Sequence, residues 1–170
     1  TSISAGTLNL TGSLSDSTAV SVSSGATFDV DVSDAIGSIA GAGGVELASS
    51  VVLTAGGDNS TTTYSGVMSG AGGFTKAGSG TTIFSGANTY TGATVVGVNA
   101  GTLAISNASG LGTTAGGTTV ASGATLDLRG VSVGAESITL NGGTLQTSNG
   151  TSSLSGAVSL GADSAVDVSG

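Results

Sequence analysis

The feature that most constrains this chain is the recurrence of short phrases in a fixed order. AGTLNL at Ala5 returns as AGTLAI at Ala100, 95 residues later, and GGTLQT at Gly142 is a third version. SSGATFDV at Ser23 returns as ASGATLDL at Ala121, 98 residues on, with a looser echo in GADSAVDV at Gly161. GAGG stands at Gly41–Gly44 and again at Gly70–Gly73, a shift of 29. Self-similarity of this kind marks repeat architectures, in which one small unit cannot bury its apolar face alone and neighbours must stack upon it.

Within each phrase the apolar residues alternate, as in Leu8 and Leu10, Val20 and Val22, Phe28, Val30 and Val32, Leu103 and Ile105, and Leu126 and Leu128. Period two predicts strands, and no stretch between glycines offers the i, i+3, i+4 stripe of a helix. The apolar fraction is 38% with only 3% aromatic residues and no Trp, so a core must be built from small and branched side chains in thin layers. The 32 glycines, without any Pro, read as turn residues between those strands. The expected fold is therefore all-β with essentially no helix: a right-handed parallel β-helix (β-solenoid). At ~24 residues per coil, it would have about seven coils. An antiparallel β-sandwich is the runner-up, and the ordered recurrence of phrases weighs against it. Residues 1–170 read as one continuous solenoid segment, an interior fragment of a larger repetitive protein. Residues 72–105 form its best repeat copy, and 5–30, 41–66 and 121–168 are degenerate copies.

Charge and chemistry narrow the function. Two basic residues, Lys76 and Arg129, stand against ten acidic ones, giving a formal net charge of -8. Two distant cations cannot make the footprint that a phosphate backbone requires, so nucleic acid is not an expected partner. No Cys and no His are present, which removes disulfides, thiolate or imidazole metal ligands and a Ser-His nucleophile pair. A β-helix glycosidase would need two carboxylates facing one cleft. Lys76 and Arg129 belong to different repeats, so no joint basic site for a lyase is expected either. The chain reads as a non-enzyme, with no catalytic residue and no cofactor.

The best acidic cluster is Asp29, Asp31 and Asp34. If Phe28, Val30 and Val32 point inward, Asp29 and Asp31 emerge together about 7 Å apart. That makes them the only candidate Ca²⁺ ligands; the plain alternative is a solvated strand face that Asp127 and Asp167 repeat. Lys76 is read as a donor to turn carbonyls, Tyr64 and Tyr90 as rings covering solenoid corners with carbohydrate stacking as the alternative, and Asn88 as a local turn former.

One stretch carries a family likeness. GGFTK at Gly72–Lys76, GSGT at Gly78–Thr81, SGANTYTG at Ser85–Gly92 and the closing GTL at Gly101–Leu103 resemble the autotransporter-associated β-strand repeat of large bacterial surface proteins. The resemblance implies secretion by a type V pathway, a right-handed β-helix, and a place at the bacterial cell surface, anchored by an outer-membrane β-barrel translocator outside this fragment. It implies an adhesive or structural stalk or filament segment whose partners are a host or abiotic surface, a glycan, or other copies of itself. The alternative is a polysaccharide- or ice-binding solenoid, which would need Thr residues stacked on one side of successive coils. TTTY at Thr61 and GTTI at Gly80 are the only hints of that in the sequence.

Overall fold

The computed structural model describes residues 1–170, and every regular element in it is a β-strand. All ladders between named strands are parallel, as stacking of similar coils requires. Each coil visits three sides in turn. The first side is a nine-stranded sheet running from Ser2–Ile3, Ala19–Val22 and Ser38–Gly41 through to Thr144–Asn149 and Ala165–Val168. The third is a seven-stranded sheet from Asp34–Ile36 to Val158–Ala162. The second side is broken: four strands (Thr7–Leu10, Thr27–Val30, Gly44–Leu47, Met68–Gly70) stack on one another, and only Ser132–Val133 and Ser153–Leu154 pair further along.

The solenoid has about eight turns rather than about seven. Thr81 pairs with Thr102, Thr102 with Thr125 and Thr125 with Thr144, so these coils take 21, 23 and 19 residues. Tight corners account for the shorter repeat. Gly6, Gly25, Gly70, Gly123 and Gly142 turn at positive φ, joined by Ser50, Asn59 and Asn99, so little chain is spent between strands.

Alternation places one apolar set inside. Along the first sheet Ile3, Val22, Gly41, Tyr64, Phe84, Ile105 and Leu128 stand in one column, each on its partner in the next coil. Gly41 is forced there by its surroundings: its φ is 106°, and a Cβ would lie 2.1 Å from the Val22 carbonyl oxygen. The ring of Phe84 packs edge-on to Tyr64 at 6.0 Å and against Phe74 at 4.8 Å, so the scarce aromatics are concentrated in adjacent coils. Together 33 buried apolar residues form a single cluster along the axis.

The recurring phrases do not keep to one side. TLNL at Thr7 and TFDV at Thr27 lie on the second side, whereas TLAI at Thr102, TLDLR at Thr125 and AVDV at Ala165 lie in the first sheet. GAGG at Gly41 bridges the first and second sides, and at Gly70 it bridges the second and third. Tyr64 pairs with Phe84, not with the Tyr90 turn. A phrase thus encodes a turn and a strand, and stacking decides which wall it builds.

Phe84→Ala is expected to lower unfolding free energy by about 3–5 kcal/mol, because it empties a site between two rings in a core with few large side chains. Urea denaturation followed by circular dichroism measures this.

Candidate functional site

The residues that the sequence singles out inside the best repeat copy point inward. Phe74, Lys76, Thr82, Phe84, Asn88, Tyr90, Thr94, Val96, Leu103 and Ile105 are all buried. Tyr90 donates its hydroxyl hydrogen to Thr94 Oγ1 at 2.6 Å, and Thr94 in turn donates to the Leu111 carbonyl at 3.1 Å. Tyr64 donates to the Gly43 carbonyl at 2.8 Å. With neither ring exposed, carbohydrate stacking on them is ruled out by geometry.

Asn88 does more than shape a local turn. Its Oδ1 accepts from the Met68 amide at 2.9 Å and its Nδ2 donates to the Gly110 carbonyl at 2.8 Å, joining the coil below to the coil above. It replaces strand pairing where the second side has none. Lys76, the single lysine, is fully buried in the column of Ala55 and Val96, and its Nζ donates to the carbonyls of Ala77 and of Gly78, the latter at 2.9 Å. Burial pulls its pKa down to about 8, with the negative Asp58 pulling the other way. Asp58 accepts from Ser38 Oγ at 2.6 Å and from the amide and hydroxyl of Ser60 at 3.0 and 2.7 Å. Burial alone would raise that carboxyl, but these donors hold it below its ordinary value.

The outward acids are distributed differently from the expected repeat pattern. Asp29 and Asp31 do emerge together, but Asn9 sits between them, its Nδ2 donating to Asp29 Oδ2 at 3.3 Å and Asp31 Oδ2 at 3.0 Å. Asp34 is turned away to accept from the Leu14 amide at 3.0 Å. No three acidic groups converge as a metal site would require. Asp127 is buried, not solvated like its counterpart Asp167: Arg129 Nε and Ser148 Oγ both reach its Oδ2 at 2.7 Å. A bulge at Arg129 in the pairing with Thr144–Asn149 brings the guanidinium back over the carboxylate.

Two surfaces escape sequence reading. On the outer face of the third sheet, Ala35, Thr54, Thr75, Val95, Thr119, Thr139 and Ser159 form one column in register. Small residues such as Gly73, Ala93 and Ala121 flank it, and no charged side chain stands among them. The column was hidden because its threonines lie in different phrases and meet only through coil stacking. The other surface is a cavity of about 300 Å³ on the interrupted second side, lined by Glu136, Thr113, Ser109 and Asn88 among others. Glu136 is 3% exposed, and burial raises its pKa despite a 2.8 Å hydrogen bond from Thr118.

With neither His nor Cys in the chain, Lys76 is the one side chain placed to titrate between pH 8 and 10. Its native pKa lies below the unfolded value, so the unfolded state holds the extra proton in that window and stability rises with pH from about 8 toward 10. Above pH 10 the effect of Tyr64 and Tyr90 is opposite, since burial raises both hydroxyl pKa values. Thermal melts across this range should show the rise in the wild type and its loss in Lys76→Met. Asn88→Ala leaves two buried backbone groups unpaired and is expected to cost about 2 kcal/mol or more in the same measurement.

Residues 74–105 match the passenger-associated-transport-repeat family. No curated protein and no solved structure matches the chain. Within the matched stretch Phe74, Lys76, Asn88, Tyr90 and Ile105 face the interior, whereas Thr75, Thr89 and Thr91 do not. The chain carries an autotransporter passenger repeat of the passenger-associated-transport kind within a parallel β-solenoid.

Proposed function

We propose that this chain is a rigid stalk segment of a bacterial surface passenger, adhesive through its outer walls and held to the cell by an outer-membrane barrel beyond this segment. The observation that carries this reading is the inward orientation of the large side chains of the repeat, Phe74, Lys76, Phe84, Asn88 and Tyr90. These residues maintain the coil and leave threonines such as Thr75, Thr89 and Thr91 for the outer faces. A passenger repeat implies a secreted, surface-exposed protein. The cavity contains a single carboxylate, Glu136, whereas glycoside hydrolysis uses two.

Among the outer walls, the third sheet supports contact best. The second side carries Asn9, Asp29 and Glu46 in one outward column, so it repels anionic surfaces. The third sheet presents hydroxyls and methyls at the ~4.8 Å coil step without charge. Many weak contacts on such a wall add by avidity. This column also favours a second reading, in which the same face lies flat on a crystalline polysaccharide or on ice.

The test introduces charge into that wall. In cells displaying the full-length protein, Thr75→Lys with Thr119→Lys should reduce adhesion and clumping several-fold. Thr7→Lys, exposed on the second side, should leave them unchanged. Equal behaviour of the two variants would remove the third sheet as the contact face. Selective loss of binding to crystalline cellulose or to ice, with clumping intact, would favour the second reading.

A further inference from the structure

The second side stops forming strands between Gly70 and Ser132, and the chain there departs from regular coil geometry. Asn88–Thr91 and Ser109–Thr113 still take up backbone bonds from neighbouring coils, as in Thr113 N to the Tyr90 carbonyl at 2.9 Å. They do not close the wall. The segment between Ile105 and Thr118 is a long excursion in a coil of 23 residues, and insertions in solenoids form loops on one face, often the face that binds.

The cavity beneath this loop has two polar groups without full partners. Glu136 uses one carboxyl oxygen to accept from Thr118, and its other oxygen makes no hydrogen bond within the protein. Thr113 Oγ1, shielded from solvent, has no partner at all. Both residues line the same space of about 300 Å³, the lower end of the range for small-molecule sites. The Thr113 hydroxyl is closed off from any occupant by that shielding, so the free oxygen of Glu136 is the unpaired group that an occupant can reach.

The lining also restricts the occupant. None of its 11 residues is Lys or Arg, which disfavours phosphates, sulfates and acidic sugars. No aromatic ring lines it, and only three of the residues are hydrophobic, so a flat apolar ligand has nothing to stack upon. Ser109, Thr114 and Glu136 offer hydroxyl and carboxyl groups instead. We propose that this cavity binds one uncharged, hydroxyl-rich sugar residue, with the free carboxyl oxygen of Glu136 hydrogen-bonding a hydroxyl of the ring. The site is independent of the third-sheet contact face and stands or falls separately from it.

Amide chemical-shift titration of the chain with D-galactose, D-mannose and N-acetyl-D-glucosamine at millimolar concentrations tests this. At least one sugar should give saturable shifts centred on Ser109, Thr113, Gly134 and Glu136. Glu136→Ala should weaken that binding about tenfold or more. Glu136→Gln, which keeps a donor and an acceptor, should retain most of it. Thr62→Val serves as the control, because its hydroxyl is equally shielded and unpartnered but lies outside the cavity; it should bind as wild type. No saturable shift with any of the three sugars would overturn the proposal. So would shifts unaffected by Glu136→Ala, or shifts produced by CaCl₂ alone.

Discussion

The parallel backbone ladder between coils is the interaction on which everything else depends. A single coil of about twenty residues exposes both strand edges and cannot bury its own apolar face, so it has no stability apart from its neighbours. Stacking pairs the edges and superimposes like residues, and it turns the columns of Val, Ile, Leu and Phe into one axial core. Small side chains suffice because each layer is thin. The three Phe and two Tyr are therefore not spread evenly; four of them, all except Phe28, lie between Tyr64 and Tyr90, within the coils around the matched repeat.

Where the ladder fails, side chains take over its work. Asn88 supplies an acceptor and a donor to coils on either side, Lys76 neutralises corner carbonyls, and Asp58 gathers Ser38 and Ser60 across a turn. Asn88 and Lys76 are buried with partners, which is the condition under which polar side chains are tolerated inside a protein. Within the matched repeat, Lys76, Asn88 and Tyr90 are all engaged in hydrogen bonds inside the coils. Glu136 is different, because it is buried with one carboxyl oxygen left without a partner in the protein.

Much of the architecture was legible from residue order alone. Alternation at Val20 and Val22 or Leu103 and Ile105 gives strands whose inward set is the one observed. The assignment of Lys76 to turn carbonyls follows from there being one lysine in a coil rich in Ser and Thr. The coil count was less legible, since phrase spacing overestimates the coil when phrases change sides. Asp127 departs from the solvated strand face expected of it because its outward slot is covered by Arg129 through a bulge, and nothing in TLDLR announces a bulge. The threonine column and the Glu136 cavity were invisible, since each is assembled from residues contributed by different coils.

By itself the sequence determined the unit: a glycine turn followed by a short alternating strand, repeated without helix, cysteine or basic patch. It determined the inward residues too, because side-chain direction in a strand follows parity and nothing else. Only the tertiary structure decided which wall each unit builds, since TFDV and TLDL are equally able to form the second side or the first sheet. Register between coils, set by coil lengths that vary from 17 to 24 residues per turn, then brings distant threonines into one column and leaves Glu136 beside an unclosed wall. Surfaces are properties of that register, and local pattern does not encode them.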